Sequence, residues 1–173
     1  MKKALLPILL AVAGAAHADY TVDMKSIGPK GVGASIGTVT ITAAPSGGVT
    51  FTPKLKGLPA GERGFHVHEN ASCGAAEKDG KSVPGEAAGA HWDPDQAGKH
   101  GSPKGLGHRG DLPALVVAKD GTATKAVTAP RLKLTDLGGK SLMVHGGGDN
   151  YSDSPKPSGG GGPRIACGLI ATR

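Results

Sequence analysis

The histidines of this chain fall into one pattern that is typical of a metal-binding protein. Beyond residue 18, every histidine lies in one of four short motifs: GFHVHEN, GAHWDP, KHGSPKGLGHRGDLP and LMVHGGGDN. These motifs contain seven candidate ligands: His66, His68, His91, His100, His108, Asp111 and His145. Six imidazoles and one carboxylate are enough to hold two metal ions, so the sequence predicts a site for two metals.

His66 and His68 are separated by a single residue. On a β-strand, residues two apart point to the same side, so both imidazoles would share one face while Phe65 and Val67 take the other. That geometry suits one metal ion. The alternative is a pair of surface histidines on an edge strand, and the presence of four further histidines weakens it.

The segment from His91 to Asp111 supplies a second candidate group. Its members His91, His100, His108 and Asp111 are nine, eight and three residues apart. Glycine and proline between them allow the chain to fold back. Three imidazoles and one carboxylate complete a tetrahedral zinc site with no open position, which is typical of a structural site. The alternative is a histidine-rich loop that binds no metal.

His145 extends the first group. It follows the apolar run LMV, and alone it would be read as a strand-end histidine with no ligand role. Imidazole-rich sites favour copper strongly among the first-row divalent metals. A copper ion with several nitrogen ligands and an open position could exchange single electrons.

The elements that must position these side chains are short strands. Segments rich in β-branched residues alternate with glycine- and proline-rich turns, and helix signals are few. Strands are predicted at residues 20–27, 38–42, 49–55, 64–68, 114–118, 124–128, 141–145 and 165–171. Seven or eight such strands predict an all-β fold, an antiparallel sandwich or barrel.

Two long connections, 69–113 and 146–163, join these strands. Long structureless loops in a compact domain are usually functional or disordered. The first connection holds Cys73 and most of the candidate ligands, so metal ions and a disulfide are expected to supply its order. The tract 154–162, SPKPSGGGG, has the composition of a flexible segment and runs towards Arg164.

Residues 1–18 have the features of a secretory signal peptide. Lys2 and Lys3 precede a short apolar run at 5–12, and the AHA at 16–18 resembles a cleavage site. The sequence therefore predicts a signal peptide at 1–18 and one mature domain at 19–173. The apolar run is too short for a retained anchor, and no later segment is apolar enough to span a membrane, so a soluble exported protein is expected.

Charge and composition limit the partners. Removal of Lys2 and Lys3 lowers the formal net charge from +6 to +4. Such a balance could favour small anions or acidic surfaces, or could simply reflect a soluble surface. Nucleic-acid binding is not expected, because the chain has no basic run and only 3% aromatic residues that could stack on bases.

Cys73 and Cys167 are the only cysteines. In an oxidising compartment they allow one intramolecular bridge, with free thiols or intermolecular pairing as the alternatives. The long loop that this bridge would close is worth about 4–5 kcal/mol in the chain-entropy model.

Four segments together, GFHVHEN, GDLPALVV, LMVHGGGDNYSD and GGGGPRIACG, resemble the copper–zinc superoxide dismutase family in its bacterial exported form. The resemblance extends from about residue 20 to about residue 171. It implies an eight-stranded Greek-key β-barrel, one copper and one zinc ion per subunit, and a periplasmic location. The implied reaction is the dismutation of superoxide to dioxygen and hydrogen peroxide by copper that alternates between Cu(II) and Cu(I).

The resemblance also implies which residues hold the metals. The implied copper ligands are His66, His68, His91 and His145. The implied zinc ligands are His91, His100, His108 and Asp111. His91 would thus bridge the two metals as an imidazolate and take up a proton when copper is reduced.

Further roles follow from the same resemblance. Asp149 would hydrogen-bond the free ring nitrogens of His66 and His100. Arg164 would hold the anionic substrate beside copper. Cys73 and Cys167 would form the family's disulfide.

Three positions depart from the family's usual pattern without removing a ligand. Pro163 precedes Arg164, Arg109 lies between two zinc ligands, and Gly101-Ser102 follows His100. Arg109 is expected to point to solvent.

Several alternatives remain open at this point. Lys78, Lys81 and Lys156 could steer superoxide or be ordinary solvated lysines. A non-catalytic copper-binding or copper-delivery protein on the same barrel is the main alternative function, and a zinc hydrolase is a third. The protein could be a monomer or a homodimer, with Trp92 at an interface or packed against the long loop.

Overall fold

The computed structural model describes residues 19–172 as a chain of short strands. The strands are β1 (Tyr20–Gly28), β2 (Gly31–Ala43), β3 (Val49–Leu55), β4 (Gly61–Arg63), β5 (Phe65–His68), β6 (Ala76–Lys78), β7 (Lys81–Val83), β8 (Leu115–Val117), β9 (Val127–Ala129), β10 (Lys140–His145) and β11 (Arg164–Ile170). Within the described residues, helical structure is limited to the 3₁₀ turns Glu86–Ala88, Leu134–Asp136 and Ser158–Gly160.

Seven of these strands form one curled antiparallel sheet in the order β5-β10-β11-β1-β2-β3-β9. Strands β4 and β8 pair separately, and single bridges join Leu55 to Ala123 and His66 to Asp111. Each of the eight predicted segments overlaps a strand, and the predicted all-β Greek-key barrel is confirmed.

The core explains why these segments are strands, because alternate side chains of each strand enter it. Val22 and Met24 of β1 are fully buried, whereas the residues between and beside them are exposed. Phe51 of β3 and Phe65 of β5 meet edge to face in the interior, with ring centroids 5.7 Å apart. Phe65 therefore anchors in the core the strand that carries His66 and His68.

The connection 69–113 is not structureless, which corrects the sequence-based expectation. Strands β6 and β7 form a hairpin within it. Asp79 and Gly80 make the turn with φ angles of 53° and 71°, the left-handed values that an Asp-Gly hairpin turn requires. A disulfide joins Cys73 to Cys167 of β11, with Cα atoms 5.7 Å apart, as predicted. The loop is therefore ordered by its own hairpin as well as by a covalent link to the sheet.

The predicted signal peptide lies outside the described residues. Between residues 19 and 172, no helix is both long and apolar enough to cross a membrane.

Candidate metal centre

Paired strands bring three of the candidate ligands together. His66 and His68 lie on β5, and His145 ends the neighbouring strand β10, which pairs antiparallel with β5. A single bridge between His68 and His91 draws the long loop onto the same strand. As a result, ligand atoms of His66, His68, His91 and His145 all lie within 4.8 Å of one another, and all four residues are buried.

Hydrogen bonds determine which ring nitrogen of each histidine faces this group. The Nδ1 atoms of His68 and His145 lie 2.9 Å from Gly89 O and 3.2 Å from Gly162 O. Their Nε2 atoms lie only 3.5 Å apart. These contacts leave the two Nε2 atoms directed at the centre of the group.

His66 is turned the other way. Its Nε2 lies 2.8 Å from Asp149 Oδ2, while its Nδ1 is buried and has no hydrogen-bond partner. Buried polar atoms are nearly always satisfied in folded proteins. A bound metal ion would satisfy His66 Nδ1. The donor set of this group therefore fits an ion that is ligated by nitrogen atoms.

Asp111 organises the second group. Its Oδ1 lies 2.9 Å from His91 Nδ1, 2.9 Å from His100 Nδ1 and 3.3 Å from His108 Nδ1. The approach of His100 Nδ1 is close in distance but is not aligned as a hydrogen bond, so that buried nitrogen is unsatisfied as well. Three imidazole nitrogens that converge on one carboxylate oxygen suit a zinc ion.

The two tight groups share His66 and His91. The second tight group consists of His66, His91, His100 and Asp111, with ligand atoms within 4.8 Å of one another. Of these two residues, His66 already contacts Asp149 through Nε2, so His91 is the one that fits a bridging ligand. His108 lies outside the tight group, although its Nδ1 faces Asp111, and it is the most exposed of the candidate ligands.

Asp149 links the two groups, and its predicted contacts are present. Its Oδ2 lies 2.8 Å from His66 Nε2, and its Oδ1 lies 2.8 Å from His100 Nε2. Oδ1 also accepts a hydrogen bond from the backbone N–H of Tyr151. The glycine-rich tract packs directly on this carboxylate, because a Cβ on Gly159 would stand 2.0 Å from Asp149 Oδ1.

Burial controls the protonation of the first group. Loss of solvent lowers the pKa of His145 to about 4 and holds the pKa values of His66 and His68 well below their usual range. The neutral imidazoles that result are the form that binds metals.

Asp111 and His100 influence each other's protonation in the second group. Burial alone would raise the pKa of Asp111, but contacts with His100, His108 and His91 outweigh it and lower that pKa far below its usual value. Burial opposes protonation of His100, yet its close contacts with the carboxylates of Asp111 and Asp149 raise its pKa to about 9. The carboxylate of Asp111 is therefore ionised, as a zinc ligand must be.

Arg164 faces a cleft of about 790 Å³ whose lining includes His91 and His145. Its Nη2 donates to Gly89 O at 2.7 Å, and its Nη1 donates to Gly85 O. Gly89 O thus accepts from Arg164 and also contacts His68. A shared backbone carbonyl fixes the guanidinium relative to a candidate copper ligand.

Several residues of the cleft were not identified from the sequence. Glu86 Oε2 lies 3.5 Å from Arg164 Nη2, and its Oε1 accepts from Lys78 Nζ at 3.0 Å. Lys99 also lines the cleft. The charges of Glu86 and Lys99 carry no periodicity or spacing that would have marked them in the sequence.

Arg109 does not extend freely into solvent, contrary to the expectation from sequence. Its guanidinium makes two hydrogen bonds with Asp95, at 2.8 Å and 2.5 Å. Trp92 packs against the core of its own chain, with Lys140 Nζ 4.7 Å from the ring centroid. Trp92, the only tryptophan of the sequence, is partly buried by this packing.

Comparison with known proteins agrees with this architecture. The copper/zinc superoxide dismutase family matches residues 35–170. Superoxide dismutase [Cu-Zn] 2 of Salmonella typhimurium is 59% identical over 163 residues, which cover 94% of each chain. The chain belongs to the copper/zinc superoxide dismutase family.

Two solved structures extend the comparison. The Cu/Zn superoxide dismutase from Brucella abortus superimposes with a TM-score of 0.86 at 51% identity, covering 88% of this chain and 99% of that one. The solution structure of the monomeric copper, zinc superoxide dismutase from Salmonella enterica gives a TM-score of 0.78 at 57% identity, with the same coverage.

Proposed function

We propose that this protein converts two superoxide ions and two protons into dioxygen and hydrogen peroxide, using one copper and one zinc ion. The observation that carries the proposal is a buried histidine, His91, shared by two ligand groups and lying on a cleft that also presents Arg164. The cationic side chain of Arg164 can bind the superoxide anion beside the nitrogen-rich site that would hold copper.

The copper ligands in this proposal are His66 through Nδ1, His68 and His145 through Nε2, and His91. The orphaned Nδ1 of His66 and the 3.5 Å approach of the two Nε2 atoms support this set. The zinc ligands are His91, His100, His108 and Asp111. His108 is preferred to His66 as the fourth zinc ligand because His66 offers only one free nitrogen.

Copper at this site would supply one-electron exchange, cycling between Cu(II) and Cu(I), while zinc would supply fixed charge without redox chemistry. The side chains supply binding, orientation and a proton. Arg164 binds the anion by charge-assisted hydrogen bonds. The His91 nitrogen that faces the first group would take up a proton when it is free of copper and would pass that proton to the reduced substrate. His91 Nδ1 and the Asp111 oxygen that it faces would both hold zinc, which would fix the orientation of the His91 ring.

A non-catalytic copper-binding or copper-delivery protein is the competing function. The fixed guanidinium of Arg164 on the open cleft favours the enzyme, because binding a metal for delivery has no need of an anion site. A zinc hydrolase would need a general base beside an open zinc position, and the proposed zinc set is filled by protein ligands.

The deciding experiment uses the mature protein loaded with copper and zinc. Superoxide consumption is measured before and after His145→Ala, with metal content determined for both. We expect rapid consumption that falls at least about a thousandfold in the variant, because removal of a group essential to the chemistry costs on the order of 4 kcal/mol or more. Normal metal content without activity in the unmutated protein would reject the enzyme.

We also propose that residues 19–173 form the superoxide dismutase domain and that residues 1–18 direct export to the periplasm. The disulfide supports this location, because such bonds persist in oxidising compartments. The predicted cleavage after Ala18 is tested by the N-terminal sequence of the periplasmic protein, which should begin at Asp19.

A monomer is our proposal for the assembly. The packing of Trp92 against its own chain and the monomeric state named for the Salmonella enterica relative support it. Sedimentation equilibrium should give the mass of one chain, and the mass of a dimer would contradict the proposal.

A further inference from the structure

A network of charged side chains fastens the candidate zinc loop to the barrel. Asp95 accepts hydrogen bonds from Arg109 Nε at 2.8 Å and from Arg109 Nη2 at 2.5 Å. Arg131 Nη2 lies 3.5 Å from Asp95 Oδ2, and Arg109 Nη1 lies 3.8 Å from Asp136 Oδ2. These four residues, the Asp95 network, are distinct from the proposed ligands and from Arg164.

Arg131 joins this network to the backbone around His108. Its Nη1 donates to Gly107 O at 2.9 Å and makes a longer contact of 3.5 Å with His108 O. These two carbonyls belong to the peptide groups immediately before and after the His108 Cα. Because Arg131 follows β9 by two residues, its guanidinium extends from the barrel to the loop.

Gly110, which directly precedes Asp111, is held by main-chain hydrogen bonds and not by Arg131. Its N–H donates to Trp92 O at 2.8 Å, and its carbonyl accepts from Val67 N at 2.9 Å. A Cβ on Gly110 would stand 2.2 Å from Val67 O, so this close approach requires glycine. Asp111 is therefore placed by main-chain bonds. The backbone of His108 makes main-chain bonds as well, from His108 N to Lys99 O at 3.1 Å and from Asp111 N to His108 O at 3.3 Å, and Arg131 adds a side-chain restraint on both sides of it.

His108 is the candidate ligand that most needs such support. It lies outside both tight ligand groups, and 17% of its side chain is exposed, against 6% or less for His91, His100 and Asp111. Its Nδ1 nevertheless stands 3.3 Å from Asp111 Oδ1. An exposed loop histidine keeps that position only if its backbone is restrained.

We infer that Asp95, Arg109 and Arg131 are positioning residues for the zinc site, holding His108 at the distance from Asp111 that zinc requires. The inference rests on the proposed function, which assigns His108 and Asp111 to zinc. Arg109 and Arg131 both converge on Asp95, so the charge of Asp95 keeps the two guanidinium groups together.

The test compares Asp95→Asn and Arg131→Gln with the unmutated protein. Zinc affinity is measured by competition with a chromophoric chelator, and ligand geometry by the absorption spectrum of Co(II) in the zinc site. We expect the zinc Kd to rise about tenfold in each variant, the lower end of the effect seen when groups supporting metal ligands are removed. The Co(II) spectrum should change, and copper affinity should stay within twofold.

Asp120→Asn is the matched control, because Asp120 is an exposed carboxylate that hydrogen-bonds Thr122 in a turn of its own. It should leave zinc affinity and the Co(II) spectrum unchanged. The double variant Asp95→Asn/Arg131→Gln should bind zinc no more weakly than the worse single variant, since both changes release the same backbone.

Two results would overturn the inference. The first is a zinc Kd within twofold of the unmutated value in both variants, with an unaltered Co(II) spectrum. The second is an equal loss of copper affinity, which would indicate general loosening of the protein. A failure of the zinc assignment itself is distinguishable, because His108→Ala would then leave the Co(II) spectrum of the otherwise unmutated protein unchanged.

Discussion

The two halves of the metal centre are built in different ways. Three of the four candidate copper ligands, His66, His68 and His145, lie on the paired strands β5 and β10. All four candidate zinc ligands lie outside the named strands, in the connection 69–113. The copper half therefore takes its geometry from a backbone ladder, whereas the zinc half depends on side-chain contacts and on the restraints that hold the loop.

This difference indicates where order is lost first. Local opening is easiest where few main-chain bonds are shared with the rest of the fold, and buried central strands open last. A disturbance that reaches both halves should thus weaken the zinc half more than the copper half. Each of the following changes tests that expectation, beginning with the largest effect.

Removal of the disulfide should have the largest effect. The double substitution Cys73→Ser/Cys167→Ser releases the start of the long loop from β11, and the free energy of unfolding should fall by about 4–5 kcal/mol in the chain-entropy model. Urea unfolding of the metal-free protein measures this change. Zinc affinity should also fall more than copper affinity. A larger fall in copper affinity would contradict the expectation that the zinc half is the less rigid of the two.

Asp149→Ala should come next, because it removes the acceptor shared by His66 and His100. We expect metal affinity to fall by about ten- to a hundredfold. The loss should be greater for zinc, since His66 remains held by β5 whereas His100 lies in the loop. Separate Kd values for the two metals provide the measurement, with Asp149→Asn as an intermediate control that keeps one acceptor oxygen. Equal losses would argue against the difference in rigidity.

Arg164→Ala should reduce kcat/KM about ten- to a hundredfold with both metals retained, in line with about 1.5–3 kcal/mol for a charged hydrogen bond. Arg164→Lys keeps the positive charge but loses the planar, two-pronged donor group of the guanidinium. Its kcat/KM should lie between those of the unmutated protein and of Arg164→Ala. Arg164 begins a strand, but its guanidinium is held by the loop carbonyls of Gly85 and Gly89. Loss of the disulfide should therefore also lower kcat/KM, though by less than Arg164→Ala does. A normal kcat/KM in the Cys73→Ser/Cys167→Ser variant with both metals bound would show that the disulfide does not help to position Arg164.

The smallest effect is expected for Lys78→Gln. Lys78 lines the cleft but is paired with Glu86, so removal of its charge should slow the reaction only about twofold and flatten the dependence on salt. Lys81→Gln is the matched control, because Lys81 lies in the same hairpin but does not line the cleft. The measurement is the rate of superoxide consumption as a function of ionic strength. If this rate falls with salt equally steeply in Lys78→Gln and in the unmutated protein, Lys78 does not steer superoxide.

Much of the fold could be predicted because alternating segments such as 38–42 report directly which face of a strand is buried. The first part of β2, from Gly31, escaped prediction because its glycine-rich sequence is mostly exposed and shows no alternation. The β6–β7 hairpin was also missed, although its Asp79-Gly80 pair is a recognised hairpin signal. The length of a strand with no buried face is determined by the strands that pair with it, so its own sequence does not predict that length.

The candidate ligands could be named from residue type and motif, but the directions of their rings could not. The inverted orientation of His66 follows from its contact with Asp149, more than eighty residues away in the chain. The pair of Arg109 with Asp95 likewise joins residues fourteen apart in an irregular loop. Contacts of this kind arise only once the loop is folded, so no spacing rule anticipates them. The contact between Asp149 and His66 was predicted from the resemblance to the family alone.

The position of Asp149 has a thermodynamic consequence. Its two oxygens orient one ring from each half of the centre, so filling one half alters the restraint on the ring that serves the other. Coupling of this kind is reciprocal: whatever factor zinc contributes to the affinity for copper, copper must contribute equally to the affinity for zinc. A single carboxylate thus makes the two metal-binding equilibria into one linked system.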